Sequence, residues 1–413
     1  MIFDATKGKD GALLIYAPVP LYRHEGRLFV EDQAAIGLHR WLDNFGRMTA
    51  MMPLNEAPPP AGWSPVSVLD DVADRLTLHP LPMAYRPDRF LRALPRARRD
   101  IRALIEQHAY LSFAIGGLFG DWGAVSCLMA HRMGRPFAVW TDRVESEVTR
   151  LAASEGRLRH RLRDRLTYRP MAMLERAVIR RATLGLFHGR ETFDTYAPFS
   201  REPHVVHGIL VDRADHIPHR ALEDKIADAA DGPLRIVYAG RAEPMKGPMD
   251  WLAVLEALRE KGVAFSAAWL GDGAERPAMQ ARVAQAGLAD SVALPGFLSD
   301  RQEVLEALRE AHVFLFCHRT PESPRNLIEA LFSGCPIVGY DGAYARDLIG
   351  PNGGGHLVPV GATTTLAGHV ACLDSARDRL AGLIRAAHAD GERFDAESIY
   401  RHRSELIKTY LPG

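Results

Sequence analysis

VFLFCHRTPESPRNLIEALFSGCPIVGY, residues 313–340, is the stretch that decides the fold. VFLF is apolar and β-prone and reads as a buried strand. A polar loop follows, and Pro324 stands where the first turn of a helix tolerates a residue without an N–H. Leu327, Ile328 and Leu331 keep helical spacing, and Gly334 closes the helix before PIVGY resumes as a strand. Strand, crossover helix and strand in so short a span make one step of a parallel sheet.

The same step repeats outward from Leu234. LRIVYA (234–239), FSAAWL (265–270), VAL (292–294), VFLF (313–316), PIVGY (336–340) and HLVPV (356–360) begin 20 to 31 residues apart, with helical patterns such as PMDWLAVLEALREKG between them. The first half is similar in kind. ALLIYAP, SVLDD, LTLHPLP, LSFAIGG, PFAVWTD, LGLFHG and HVVHGI read as strands, and AIGLHRWLDNFG as a helix. The expected class is α/β, with two Rossmann-like doubly wound domains.

The polar, proline-containing segment 212–233 reads as the linker, which gives an N-terminal domain over 1–212 and a second over 213–395. Residues 396–413 form a last helix placed to return to the first domain. A chain of 413 residues with 47% hydrophobic and 25% charged residues has enough apolar material for two cores.

Net charge is zero, yet residues 1–200 hold 28 Lys+Arg against 22 Asp+Glu, and residues 201–413 hold 23 against 29. A basic first half is either ordinary variation between solvated faces or a preference for an anionic partner. The region 157–181 is rich in arginine and contains Pro170, which is expected to interrupt any single long helix. It reads as a solvated face or as a peripheral membrane contact.

Four scattered cysteines and a start without a signal peptide's pattern give a reduced, cytoplasmic expectation, extending to the inner membrane face. Tyr110–Ala130 carries one charge, Asp121, among several glycines; strand, turn and helix fit it better than a membrane span. GxGxxG after the first strand, GxxxxGK[ST] and metal-ligand spacings are all missing. That argues against a dinucleotide dehydrogenase, an NTPase or a bound metal cofactor, and no motif points to nucleic acid.

Two strand ends in the second half carry chemistry. After LRIVYA come Gly240 and Arg241, then Lys246 and Gly247 before a helix. A glycine there admits a ligand to the backbone, two cations converge on one anion, and a helix start adds N–H donors. The other strand end is the opening stretch. Glu322 stands in its loop and Glu329 within its helix, and carboxylates suit hydroxyl-rich ligands; the competing readings are a capping residue and a surface residue. Cations for phosphate and carboxylates for sugar together describe a sugar nucleotide.

At these residues the chain resembles family 4 of the retaining glycosyltransferases, whose GT-B architecture faces two Rossmann-like domains across a cleft. The resemblance covers residues 234–340 nearly throughout: the Gly240-Arg241 turn with Lys246, Leu270-Gly271-Asp272-Gly273, Pro295-Gly296-Phe297-Leu298, and the glutamate helix ending in SGCPIV. Val206-His207-Gly208-Ile209-Leu210-Val211-Asp212 looks like the strand that closes the first domain.

The resemblance implies that Arg241 and Lys246 hold the diphosphate of a UDP or GDP sugar, with Gly240 admitting it. Glu329 would bind the ribose, and Glu322 with loop N–H groups around Pro324, Arg325 and Asn326 the donor sugar. Backbone at Phe297 and Leu298 would meet the base, and Gly271 and Asp272 would line the same site.

The glutamates are separated by six residues where the family usually has seven, so either the loop is one residue short or Pro321 takes the first glutamate's place. Many members also carry a histidine where this chain has Asp121 and Trp122. Asp121 either binds hydroxyls or caps a helix. Asp142 and Arg143, at another strand end, complete the acceptor-side candidates. The implied activity is transfer of a sugar to a hydroxyl of a glycan, lipid-linked or small-molecule acceptor. The rivals are an epimerase or phosphorylase of the same architecture and a non-catalytic sugar-nucleotide binder.

Overall fold

The computed structural model describes residues 11–152, 158–209, 211–320 and 322–411, and the side chains of 151–163 are not part of that description. Leu210 of the closing segment, Pro321 of the glutamate loop and the start of the basic region at 157 lie outside the described residues. The chain divides into two compact units, Met1–Leu210 with Ala396–Gly413, and Val211–Asp395.

Unit 1 begins with strands β1 (Ala12–Tyr16), β2 (Leu21–His24), β3 (Arg27–Glu31), β4 (Arg47–Asn55) and β5 (Trp63–Pro65). It continues with β6 (Leu76–Pro82), β7 (Tyr110–Ala114), β8 (Ala138–Thr141), β9 (Leu184–His188) and β10 (Pro203–Val206). Its helices are α1 (Asp32–Leu42), α2 (Pro87–Gln107), α3 (Trp122–Arg132), α4 (Glu145–Ala152), α5 (Leu158–Ile179) and α6 (Gly189–Tyr196).

The ten strands form one sheet in the order β10-β9-β8-β7-β1-β4-β2-β3-β5, with β6 also on β4. Pairing is parallel apart from β2–β3 and β3–β5. That hairpin was not anticipated, although Glu25 and Gly26, both at positive φ, form the two-residue turn that joins β2 to β3.

Side chains of β1 alternate between two cores. Leu14 and Tyr16 pack with α2 and α3 residues such as Ile101, Ile105 and Cys127, while Leu13 and Ile15 pack with Leu38 and Trp41 of α1. This is the period of two that a sheet covered on both faces requires.

Unit 2 contains α7 (His219–Asp228), β11 (Leu234–Ala239), α8 (Pro248–Glu260), β12 (Phe265–Leu270), α9 (Arg276–Gln285), β13 (Val292–Gly296) and α10 (Arg301–Glu310). It goes on with β14 (Val313–Phe316), α11 (Arg325–Phe332), β15 (Ile337–Tyr340), α12 (Ala343–Ile349), β16 (Gly355–Val358), α13 (Thr363–Ser375) and α14 (Arg377–Gly391). Its six strands are all parallel in the order β13-β12-β11-β14-β15-β16, which changes direction between β11 and β14. Ligands of such sheets sit beyond the carboxyl ends of the strands at that switch point, and both chemistry-bearing turns leave from there.

The last helix, α15 (Ala396–Tyr410), belongs to unit 1. Tyr400, Leu406 and Ile407 join the core under α1, and the Arg403 guanidinium lies 4.9 Å from the Trp41 ring and 5.2 Å from that of Trp140.

Three local expectations are corrected. SVLDD is no strand but part of a 3₁₀ helix, Val66–Val72, whose Leu69 and Val72 are buried at a spacing of three. The segment read as a linker contains α7, anchored by buried Leu222, Lys225 and Ile226. Pro170 does not interrupt α5. It lies on the exposed side, where water can take up the carbonyl its ring leaves without a donor.

Candidate functional site

The turns after β11 and β12 mesh. Gly240 donates its N–H to Leu270 O at 2.8 Å, Ala242 donates to Asp272 O at 3.0 Å, and Trp269 Nε1 donates to Gly240 O at 3.0 Å. A Cβ on Gly271 would fall 2.1 Å from Gly240 O, so only glycine permits this approach. Gly240, Gly271 and Asp272 are therefore brought together, and Arg241 leaves their junction exposed, with no ion-pair partner among the described residues.

The chain then turns through Pro244–Lys246 and starts α8 at Pro248. Gly247 has φ 66°, and a Cβ there would lie 2.1 Å from Cys317 O, which presses this turn against the loop leaving β14. The two loops are stitched side by side. Arg319 N donates to Met245 O at 2.9 Å, and Arg319 grips Asp250 of α8 through Nε at 2.9 Å and Nη2 at 2.5 Å. Tyr340 donates its hydroxyl to Asp250 Oδ2 at 2.9 Å.

Within that seam Lys246 is buried, and its Nζ donates to Glu322 Oε1 at 2.6 Å. The same oxygen lies 3.5 Å from His318 Nδ1, and His318 Nε2 meets the Tyr238 hydroxyl at 2.8 Å. Burial, then the nearby Lys246 cation, holds His318 well below its ordinary range, so the ring is neutral. Burial and the Glu322 charge push Tyr238 well up, so its hydroxyl keeps its proton. A neutral ring turns an N–H rather than a lone pair toward the Glu322 carboxylate 3.5 Å from Nδ1, which assigns the proton to Nδ1 and leaves Nε2 to accept from the Tyr238 hydroxyl.

Helix α11 begins after Pro324, its N-cap residue. Asn326 Nδ2 donates to Ala239 O at 2.5 Å, tying the first turn of α11 to the end of β11. Arg325 is exposed in the first turn of α11, the end of a helix whose N–H groups point toward an anion or a hydroxyl. Glu329 lies one turn on, 3.6 Å from Arg301 Nη2 at the start of α10. Burial raises the Glu329 carboxyl, opposed by Arg301 and Arg325. Phe297 is 62% exposed in the loop between β13 and α10, with Leu298 half-buried beside it.

Residues 220–388 match the family model of glycosyl transferases group 1.

The amylovoran biosynthesis glycosyltransferase AmsK of Erwinia amylovora is 28% identical over 191 residues, 45% of this chain and 47% of that protein. The 2-deoxystreptamine N-acetyl-D-glucosaminyltransferase of Streptomyces fradiae is 28% identical over 262 residues, 61% of this chain and 60% of that protein. The alignments thus span about half to three-fifths of these relatives' lengths.

Among solved structures, Anabaena HepE in complex with UDP superposes with a TM-score of 0.68 over 97% of this chain and 100% of that one, at 14% identity. Sucrose-phosphate synthase of Thermosynechococcus elongatus gives 0.69 over 97% and 98%, at 13% identity. These likenesses establish the fold, that of GT-B glycosyltransferases.

Outside the group 1 segment the acceptor-side candidates divide. Asp121 is the N-cap of α3: Oδ1 accepts from Ala124 N at 3.0 Å and Oδ2 from Gly116 N at 3.1 Å. Burial pushes its carboxyl up to about 6 against the pull of these N–H groups. Trp122 is fully buried, and its Nε1 donates to Pro82 O at 2.8 Å. Both are buried in unit 1. Asp142 is exposed at the end of β8 with Oδ1 3.6 Å from His188 Nδ1, and Arg143 Nε donates to Glu145 Oε1 at 2.6 Å.

Sequence reasoning missed Tyr238, Asp250, Arg301, His318 and Arg319. His318 and Arg319 stand in the stretch that decided the fold, and a signal was present in their polarity directly after a buried strand. Asp250 and Arg301 sit in the first turns of their helices, where charge reads equally well as dipole complement or as solvated face.

Proposed function

We propose that the protein is a retaining glycosyltransferase that moves a sugar from a nucleoside-diphosphate sugar, of the UDP or GDP type, to a hydroxyl-bearing acceptor. One observation carries the reading: the cation-bearing turn after β11 and the glutamate-bearing loop before α11 form one seam, closed by Lys246 and Glu322. The match of residues 220–388 to glycosyl transferases group 1 and the UDP in the HepE structure support it.

In this reading Arg241 and Lys246 neutralise the charge that develops on the departing phosphate, where preorganised cations contribute most. Gly240, Gly271 and Asp272 line the diphosphate's approach. Glu329 takes the ribose hydroxyls, Glu322 and the N–H groups at Arg325 and Asn326 take the donor sugar, and the backbone at Phe297 and Leu298 meets the base. Attack comes from the face the nucleotide leaves, which retains the anomeric configuration without a side-chain nucleophile. Unit 1 holds the acceptor, with Asp142 and Arg143 as its candidates.

The exposed side of α5, with Leu166 and Met173 among Arg165, Arg169 and Arg176, suits an anionic membrane surface that presents a lipid-linked acceptor. No described helix is long and apolar enough to cross a membrane.

Thermal melting with UDP-, GDP- and ADP-sugars tests the donor site, because a ligand that binds only the folded chain raises its melting temperature. One class is expected to stabilise, and product analysis with and without acceptor then separates transfer from epimerisation. Stabilisation by none of the three overturns the reading.

A further inference from the structure

Lys246 and Glu322 occupy each other. Their side chains are 11% and 12% exposed, and the 2.6 Å bond between them uses the ammonium that would meet a diphosphate and the carboxylate that would meet a sugar. A phosphate arriving beside an intact pair would bring a second anion against a carboxylate in a poorly solvated pocket, which costs far more than at a surface. The pair has to open.

A carboxylate released in that pocket needs another donor, and among the described residues His318 stands beside it. Its neutral ring offers Nδ1–H at 3.5 Å, and the Tyr238 hydroxyl on Nε2 fixes both the ring and its tautomer. A neutral donor holds a carboxylate more weakly than a cation does, so lone pairs stay accessible to sugar hydroxyls.

We propose that donor binding is an exchange, in which the diphosphate takes Lys246 from Glu322 while His318, set by Tyr238, keeps the released carboxylate aimed at the donor sugar. Glu322 is thus a latch against nucleotide without sugar, and His318 is a positioning residue. The proposal rests on reading this turn as a diphosphate site. Free nucleoside diphosphate must open the pair unaided; the intact donor recovers part of the cost through its sugar.

Calorimetry on the full chain with UDP, GDP and ADP, followed by the sugar conjugate of whichever binds, tests it. Glu322→Gln is expected to bind the free nucleotide about tenfold more tightly than wild type while losing transfer. Glu322→Asp, drawing the carboxylate back by one methylene, should shift affinity the same way by a smaller factor, and it serves if the glutamine variant fails to fold. His318→Phe should leave free-nucleotide affinity within about twofold and lower kcat about tenfold, and His318→Asn, with an amide N–H near the Nδ1 position, should recover part of that loss.

If wild type binds none of the three nucleotides, the site reading itself falls. If it binds one and the Glu322 variants bind it no more tightly, the exchange alone is overturned. An unchanged kcat in His318→Phe removes His318 from it.

Discussion

Two carboxylates at comparable places have opposite surroundings. Asp121 follows β7 and Glu322 follows β14, each in a loop between a buried strand and a helix. Asp121 spends its oxygens on the backbone of its own turn, Gly116 N and Ala124 N. Glu322 takes its partners from side chains, Lys246 on the turn after another strand and His318 beside its own. A carboxylate satisfied by its local backbone holds a turn together, and removing it costs stability. One satisfied by side chains from elsewhere can trade them for a ligand, and removing it costs function.

The contrast breaks most sharply at the cations. Arg241→Ala or Lys246→Ala is expected to lower turnover by about a hundredfold or more, the scale seen when a stabiliser of developing negative charge is removed. Steady-state transfer rates measure this, and near-normal rates in both variants would erase the functional side of the comparison. Asp121→Asn should leave turnover close to wild type.

The parallel sheet of unit 2 was legible because strands buried on both faces read as unbroken apolar runs, and LRIVYA and VFLF became β11 and β14 with the expected bounds. Patterns of one local period were legible for the same reason. What failed depended on competition between periods or on exposure. In the 3₁₀ helix that contains SVLDD the buried Leu69 and Val72 are three positions apart, and the polarity of 212–233 is that of a surface helix with one buried stripe. Pro170 is tolerated because of the side of α5 it occupies, which composition does not reveal.

The site was legible in its residue types and not in its pairings. Lys246 with Glu322, Arg301 with Glu329 and Arg319 with Asp250 each join separate loops or helices, and no spacing along one chain encodes such a contact. For Asp121 the sequence left capping and hydroxyl binding open. The structure shows the cap, with the N–H of Gly116, five residues back, as a second backbone partner that closes the loop.

A smaller effect sharpens the structural side of the comparison. Asp121→Ala removes the N-cap of α3 and leaves the buried N–H groups of Gly116 and Ala124 without their acceptor, which is expected to cost about 2 kcal/mol. Denaturant titration measures it. A loss of stability below about 0.5 kcal/mol, the scale of an ordinary surface substitution, would mean that the carboxylate is not held by its backbone partners.

The last effect concerns pH. Burial raises the Asp121 carboxyl from the usual 3.8 to about 6, so between those values the folded chain holds a proton that the unfolded chain has released. Stability from this group is therefore complete below about 3.8 and is lost as pH rises through about 6. Asp121→Asn keeps an oxygen that can accept from Ala124 N and does not titrate. Relative to wild type, its melting temperature should gain a few degrees as pH rises from about 4 to about 7. Glu175, also raised by burial, adds its charge to the push on Asp121, so the difference between the two proteins includes the loss of that coupling. If the two melting curves stayed parallel across that range, Asp121 would not carry the raised affinity for a proton that its buried cap implies.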